Sequence, residues 1–298
     1  MIQVDHLKKT AKEKKLLASR KAILSNISFS VPEGKVISII GQNGAGKSTT
    51  IKIILGFTKP DSGTLKIRQN ISIGYLPENP YYYDYLTLRE LLWFSASSFG
   101  MAKDIFSKKV CLAAEKVGMQ AELGNKLRTF SKGMTQRAGI AAAIVHDPDL
   151  LIFDEPMSGL DPVGRQMVFD LITDLRSRGK TILFCSHVLS DVERLCDEVI
   201  IMHHGEVRRH LTREDLVLSQ KETEILIPSS SMVEQTLSAA NYRFKVFSEH
   251  LSLYVETEQI NQTLDFLRTH DISVINVRSS AISLENIFRD VVAKGDDV

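Results

Sequence analysis

The sequence predicts an α/β protein built on a parallel sheet, with a helical insertion in it and a smaller α+β domain after it. Three observations carry this reading. Strand and helix patterns alternate from Leu150 onward, through Leu150–Phe153, Pro162–Arg178, Thr181–Cys185, Leu189–Leu195 and Glu198–Met202, the order of parallel strands joined by crossover helices. A glycine-rich run, Gly41–Ser48, stands between an apolar strand pattern and a helix pattern. The length of 298 residues, at about 150 residues per domain, leaves room for a second core.

Taken in order, the chain opens with an apolar–polar strand from Ile2, a basic stretch from Lys8 to Lys21 expected to be a solvated loop, a strand near Ile27–Val31 and a buried strand at Val36–Ile40. A helix starts at Lys47 and stops at Gly56, and short strands follow at Gly63–Ile67 and Ile71–Leu76. From about 87 to 143 the pattern is mainly helical, opened by the capping signal Thr87-Leu-Arg-Glu90. Composition shifts near Ser219, which sets the expected boundary between domains 1–217 and 218–298. The second domain reads strand (Glu224–Ile227), helix (Met232–Ala240), hairpin (Arg243–Phe247 and Leu251–Glu256), helix (Gln259–Thr269) and strand (Ile272–Val277), a β-α-β-β-α-β order of ferredoxin-like type, with a last helix at Leu284–Ala293.

Composition bounds the function. Lys and Arg number 37 against 36 Asp and Glu, a net charge of +1, so no global field draws the chain to nucleic acid or to a membrane surface. Cys111, Cys185 and Cys196 are scattered, without zinc-ligand spacing, and fit reduced thiols. Apolar runs such as Val36–Ile40 and Leu150–Phe153 fall far short of the roughly 20 residues of a membrane helix, and no apolar stretch follows Met1, so neither a membrane span nor a secretory signal is expected.

Gly41-Gln42-Asn43-Gly44-Ala45-Gly46-Lys47-Ser48 satisfies G-x-x-x-x-G-K-[ST], in the strand-to-helix context that the motif's mechanism requires. Its glycines let backbone N–H groups close around phosphate oxygens, Lys47 reaches the β- and γ-phosphates, and Ser48, followed by Thr49, offers a hydroxyl to a magnesium ion. Leu150-Leu-Ile-Phe-Asp-Glu155 puts Asp154 at the carboxyl end of an apolar strand as the metal-side acid. Glu155 follows it, placed to orient or deprotonate an attacking water.

With these motifs in order, residues 1 to about 215 resemble the nucleotide-binding subunit of an ATP-binding cassette (ABC) transporter, a P-loop NTPase fold, most like the bacterial exporter type. Phe130-Ser-Lys-Gly-Met134, then Thr135-Gln-Arg137, matches the family's LSGGQ signature at Ser131 and Gly133 and departs from it at Phe130, Lys132 and Met134. The resemblance implies that Ser131 and Gly133 contact the γ-phosphate held by a second copy of the chain. A Ser-capped helix with a glycine turn is the plainer reading of the same residues. Ser158-Gly-Leu-Asp161 resembles the D-loop, and Asp161 also stands where a cap precedes Pro162. Ser186-His187 resembles the switch histidine, with His187 on the γ-phosphate beside Glu155, whereas His203-His204-Gly205 reads as a hairpin turn and not as a metal pair.

Two departures stand out. Glu78, in Tyr75-Leu-Pro-Glu78, occupies the place where the family usually has Gln, and as a carboxylate it can ligate magnesium directly. No aromatic residue lies between Met1 and Ser28, so the ring that usually stacks on adenine is missing, and Leu16, Leu17 and the Arg20 guanidinium are left as candidates for the base contact. The resemblance implies an ATP- and magnesium-dependent ATPase that dimerises and energises a separate membrane-spanning subunit from the cytoplasmic face. The competing class is a soluble ABC ATPase acting on DNA or ribosomes. Against it stand one cassette in place of two, a block between Glu78 and Phe130 too short for a coiled-coil arm, and the near-zero charge; no nucleic-acid partner is expected. The C-terminal domain carries no phosphate loop or nucleophile arrangement and is expected to support dimerisation or regulation. The tyrosine run Pro80-Tyr-Tyr-Tyr-Asp-Tyr85 cannot all be core, and its exposed members are expected to meet the membrane subunit.

Overall fold

A computed structural model describes residues 1–12, 20–100, 103–218, 222–247, 250–280 and 284–295. The chain divides into two compact units, the first covering Met1–His210 and the second Leu211–Ala293. That division falls ahead of the composition shift near Ser219.

In the first unit, β1 (Ile2–Lys12), β2 (Arg20–Val31) and β4 (Ser62–Ile67) form an antiparallel sheet in the order β2-β1-β4. Between them in sequence lie β3 (Val36–Ile40) and α1 (Lys47–Ile54). The basic stretch is thus not simply a loop: β1 and β2 pair as far as Lys12↔Arg20, with Ala11 opposite Lys21. Register shifts between Val4 and Leu7 and between Lys9 and Thr10 break the period-2 alternation by which the strands would otherwise be read.

The second sheet follows the order β5-β6-β7-β3-β8-β9, built from β5 (Ile73–Leu76), β6 (Leu150–Asp154), β7 (Thr181–Cys185), β8 (Glu198–His203) and β9 (Glu206–Thr212). From β5 to β8 every pairing is parallel. In β3, β6 and β7 all five residues are buried, which is why these strands read as continuous apolar runs. Ile37 and Ile39 of β3, Leu150 and Ile152 of β6 and Leu183 of β7 pack in one core with Val4, Ile27 and Phe29 of the antiparallel sheet and Ile51, Ile53 and Ile54 of α1. Burial of each such side chain contributes about 1.5–3 kcal/mol, so the core pins the loop between β3 and α1 from both sides.

The helical block holds α2 (Leu88–Ser97), α3 (Lys103–Lys116) and α4 (Lys132–Ile144). Thr87 and Glu90 form the expected reciprocal capping box, and these hydrogen bonds hold the Glu90 carboxyl below the usual carboxylate range. α5 (Pro162–Ser177) and α6 (Leu189–Leu195) are the crossover helices.

The second unit begins with Leu211 and α7 (Arg213–Leu218). It continues with β10 (Glu222–Pro228), α8 (Ser231–Ala239), β11 (Arg243–Val246), β12 (His250–Glu256), α9 (Ile260–Thr269), β13 (Asn276–Ser280) and α10 (Leu284–Gly295). Its sheet is antiparallel in the order β11-β12-β10-β13, the split β-α-β arrangement, over a core that includes Ile225, Ile227, Leu251, Leu253, Leu237 of α8 and Leu267 of α9. The last strand lies at Asn276–Ser280 and not at Ile272–Val277, because Ile272 is spent closing α9: its N–H donates to Leu267 and its side chain joins the core.

Candidate functional site

The loop Gly41–Ser48 joins β3 to α1, and its glycines are required by space and by backbone. A Cβ at Gly41 would stand 2.4 Å from the carbonyl oxygen of Met202, and Gly46 caps α1 at φ +103°, 2.6 Å short of Leu24 for any added Cβ. Lys47 Nζ folds back across the loop, donating to the carbonyls of Gly41 at 2.7 Å and Gln42 at 3.3 Å. Its ammonium faces loop carbonyls that an arriving phosphate can displace, next to the amino end of α1.

The acidic residues reach this loop from β6. Asp154 is buried at the strand's carboxyl end, opposite Cys185 of β7, and lines the same cavity as Ser48. Burial raises its pKa above the ordinary aspartate value and the nearby Glu78 adds to the rise, while Ser48 and Lys47 oppose it. Glu155 leaves the strand in the left-handed region, at φ +54°, with its N–H donating to the Cys185 carbonyl at 3.1 Å. That backbone conformation is costly for a non-glycine residue, by about 1–3 kcal/mol, and it concentrates at functional sites. It brings Oε2 within 2.8 Å of His187 Nδ1. The carboxylate side chain is 13% exposed and the imidazole 68%, so an enclosed acid meets an open ring. Burial raises the Glu155 pKa, and His187 and Lys47 oppose the rise.

Gln136 of α4, overlooked as a site residue, holds the Glu155 turn from behind: its buried Nε2 donates to the carbonyls of Glu155 at 3.1 Å and Pro156 at 3.2 Å. A buried amide in an otherwise Ala-rich helix face was the signal that could have exposed it. Tyr75 lies close to Asp154 and Glu78, and burial pushes its phenol up to about 12. Cys185, fully buried, has its thiol pushed well above the ordinary range.

A cavity of about 640 Å³ opens over this loop, lined by Asn43, Gly44, Ala45, Gly46, Lys47, Ser48 and Thr49, by Glu78, Asp154 and Glu155, and by Ala11, Lys21, Ala22 and Ile23. Gly41 and Gln42 contribute through their carbonyls to Lys47, and His187 through Glu155. Ser131, Gly133 and Asp161 are not among the lining residues. Ser131 caps α4, its Oγ accepting from the Met134 N–H at 3.2 Å. Beside Gly133 runs the backbone of Gly159, 3.3 Å from where a Cβ would be. Asp161 caps α5 by accepting from the Gly164 N–H at 2.7 Å, and Arg137 donates to the same Oδ1 at 3.2 Å. Leu16 and Leu17 lie outside the described residues, as does the Arg20 side chain. His203 ends β8 and His204 stands in the turn to β9, with ring centroids 4.0 Å apart, and no cluster of three His, Cys, Asp or Glu suited to a metal occurs among the described residues. Ser48, Asp154 and Glu78 instead form a set of hard oxygen donors that suits magnesium when phosphate oxygens and water complete the shell.

Residues 24–158 match the family model described as ABC transporter. The uncharacterized ABC transporter ATP-binding protein sll0415 of Synechocystis is 41% identical over 194 residues, 62% of this chain and 55% of that protein, so the chain spans just over half the length of that relative. The linearmycin resistance ATP-binding protein LnrL of Bacillus subtilis is 31% identical over 287 residues, 92% of this chain and 88% of LnrL. A solved structure described as an ATP binding subunit of an ABC transporter superimposes with a TM-score of 0.65 at 30% identity, covering 72% of this chain and 91% of that one.

Proposed function

Because the chain belongs to the ABC transporter family, we propose that it binds and hydrolyses ATP to energise a membrane transporter, with Glu155 as the general base and His187 as its positioning partner. The observation that carries this is the 2.8 Å contact between His187 and a Glu155 carboxylate enclosed beside the phosphate loop. The ionised carboxylate can only accept, so Nδ1 carries the proton in that contact and fixes the direction in which the second carboxylate oxygen points. Lys47 and the N–H groups of the loop bind the β- and γ-phosphates, and Glu155 takes the proton of the water that attacks the γ-phosphorus as the bond to the β-γ bridging oxygen breaks. Ser48 and Asp154, with Glu78, would hold magnesium, which when bound neutralises charge on the phosphate oxygens.

The signature residues imply a second copy. Ser131 and Gly133 stand at the amino end of α4, a helix of 13 residues, away from the cavity that Glu155 faces. Two chains related by a twofold axis would each lend this helix end to the other's γ-phosphate. In Glu155→Gln, ATP with magnesium is expected to double the mass seen by light scattering after size exclusion. An unchanged mass at saturating nucleotide removes the shared-site reading.

The membrane subunit would dock at the tyrosine run. Tyr81, Tyr83 and Tyr85 are 86%, 64% and 66% exposed, and Tyr83 stacks on Tyr85 with centroids 5.5 Å apart. Tyr82 points the other way: its hydroxyl would be 3.0 Å from a Cβ at Gly139, and burial pushes its pKa up to about 12. The docking test therefore excludes Tyr82 and uses Tyr81→Ala with Tyr83→Ala and Tyr85→Ala. It is expected to weaken co-purification with the membrane partner by about 30-fold, a hot-spot loss of about 2 kcal/mol, with the melting temperature unchanged. Full retention of the complex would move the docking surface elsewhere.

No helix among the described residues is long and apolar enough to cross a membrane. The membrane-spanning path is assigned to a separate polypeptide, with this chain on its cytoplasmic face. Export is the direction favoured, in keeping with the resistance named for LnrL.

A further inference from the structure

Resting on the reading of Glu155 as the general base, we propose that Gln136 is a positioning residue of the reaction, and that its side-chain amide sets where the Glu155 carboxylate stands. A primary amide carries two donors on one nitrogen. Gln136 spends its nitrogen on the backbone of the base: Nε2 donates to the Glu155 carbonyl at 3.1 Å and to the Pro156 carbonyl at 3.2 Å. The residue is 3% exposed, so bulk water has little access to replace these bonds. It does not line the cavity over the phosphate loop, and its action on the chemistry runs through Glu155.

The base needs such a hold. Glu155 stands at φ +54°, in the left-handed region that a residue with a Cβ enters at a cost, and such a conformation persists only where the surroundings impose it. From β7, the Cys185 carbonyl accepts the Glu155 N–H at 3.1 Å. From α4, Gln136 takes the carbonyl of the same residue. The peptides on both sides of the Glu155 Cα are thus fixed by partners on two different elements, and the side chain between them is aimed at His187, 2.8 Å away. Two hydrogen bonds are comparable in size with the strain that they oppose, so their removal lets the turn relax. The amide also projects from a seated helix. Its neighbour Arg137 donates to Asp161 at 3.2 Å, and the Gly159 carbonyl oxygen lies 3.3 Å from where Gly133 would carry a Cβ.

The test is phosphate release by the full chain with ATP and magnesium, alongside calorimetric titration with the βγ-imido analogue of ATP. Gln136→Met keeps the length of the side chain and loses both donors, whereas Gln136→Asn keeps the amide and stops one methylene short. A misplacement of about 1 Å costs about 10²-fold in rate, so kcat is expected to fall about 10- to 100-fold in Gln136→Met and less in Gln136→Asn. Analogue affinity is expected to stay within about threefold of the wild type. A carboxylate shifted from its enclosed seat beside His187 also titrates differently, so the acidic limb of the rate is expected to move, which a loss of packing elsewhere does not cause. A double-mutant cycle decides the assignment. In the Glu155→Gln background, Gln136→Met is expected to change the residual rate by less than about twofold, because no base is left to misplace. An equal loss in both backgrounds overturns the proposal, and so does wild-type kcat in a folded Gln136→Met chain. If Gln136→Met does not fold, Gln136→Asn takes its place in the cycle. A chain that folds with neither makes Gln136 a residue of the core alone and removes the assignment. Wild-type turnover in Glu155→Gln by itself is a separate failure, that of the base.

Discussion

Glu155→Gln binds ATP as the wild type does and hydrolyses it about 10²–10⁴-fold more slowly, the usual cost of losing a general base. The amide keeps the size and the polarity of the carboxylate, and the hydrogen bonds from Gln136 Nε2 to the Glu155 and Pro156 backbone carbonyls do not involve the Glu155 side chain. Only the proton acceptor is removed. The pH dependence separates this from a structural defect. Burial raises the Glu155 pKa, and the base works ionised, so wild-type turnover falls as pH drops through a value above that of an ordinary glutamate. In Glu155→Gln the residual rate lacks that acidic limb. Phosphate release measured across pH decides the matter: wild-type-like turnover in the variant would falsify the assignment.

Lys47→Ala has the opposite signature, with nucleotide affinity lost and the fold kept. Lys47 donates to the Gly41 and Gln42 carbonyls, two loop acceptors beside an open cavity that water can satisfy. The unliganded melting temperature is therefore expected to change little. With triphosphate bound, the ammonium makes charge-assisted contacts worth about 1.5–3 kcal/mol each. Loss of two of them weakens binding by about 10²-fold or more. Thermal shift reads both halves at once: at 100-fold excess over the wild-type Kd, ATP stabilises the wild type by about 2.7 kcal/mol and the variant by a fraction of that. A variant that binds as the wild type does removes Lys47 from the phosphate site.

The phosphate loop, Asp154, Glu155 and His187 were legible because each lies at, or within two residues of, the carboxyl end of a buried and mostly apolar strand. Position after a parallel strand is enough to send a side chain to the site. The β1–β2 hairpin was not legible, since its register shifts disrupt alternation and its lysines resemble those of a solvated loop. Ala11 and Lys21 were consequently not placed at the cavity. Gln136 was missed for another reason. Its partners lie 19 and 20 residues away, and only the packing of α4 beside the turn after β6 brings them together. Tyr82 cannot be told from Tyr81 and Tyr83 by composition; the space above Gly139 distinguishes it.

The Gln136 amide also imposes a mechanical linkage. It is one side chain with two carbonyl acceptors, and it ties the body of α4 to the peptide that carries the base. α4 cannot slide or tilt by an ångström without either dragging Glu155 along or leaving buried carbonyls unsatisfied, at about 1–3 kcal/mol for each. A force applied to that helix therefore arrives at the Glu155 carboxylate as a displacement. The same link runs backward, because a shift of the Glu155 turn loads the helix whose amino end carries Ser131. The position of α4 and the placement of Glu155 are in this way tied together by a single amide.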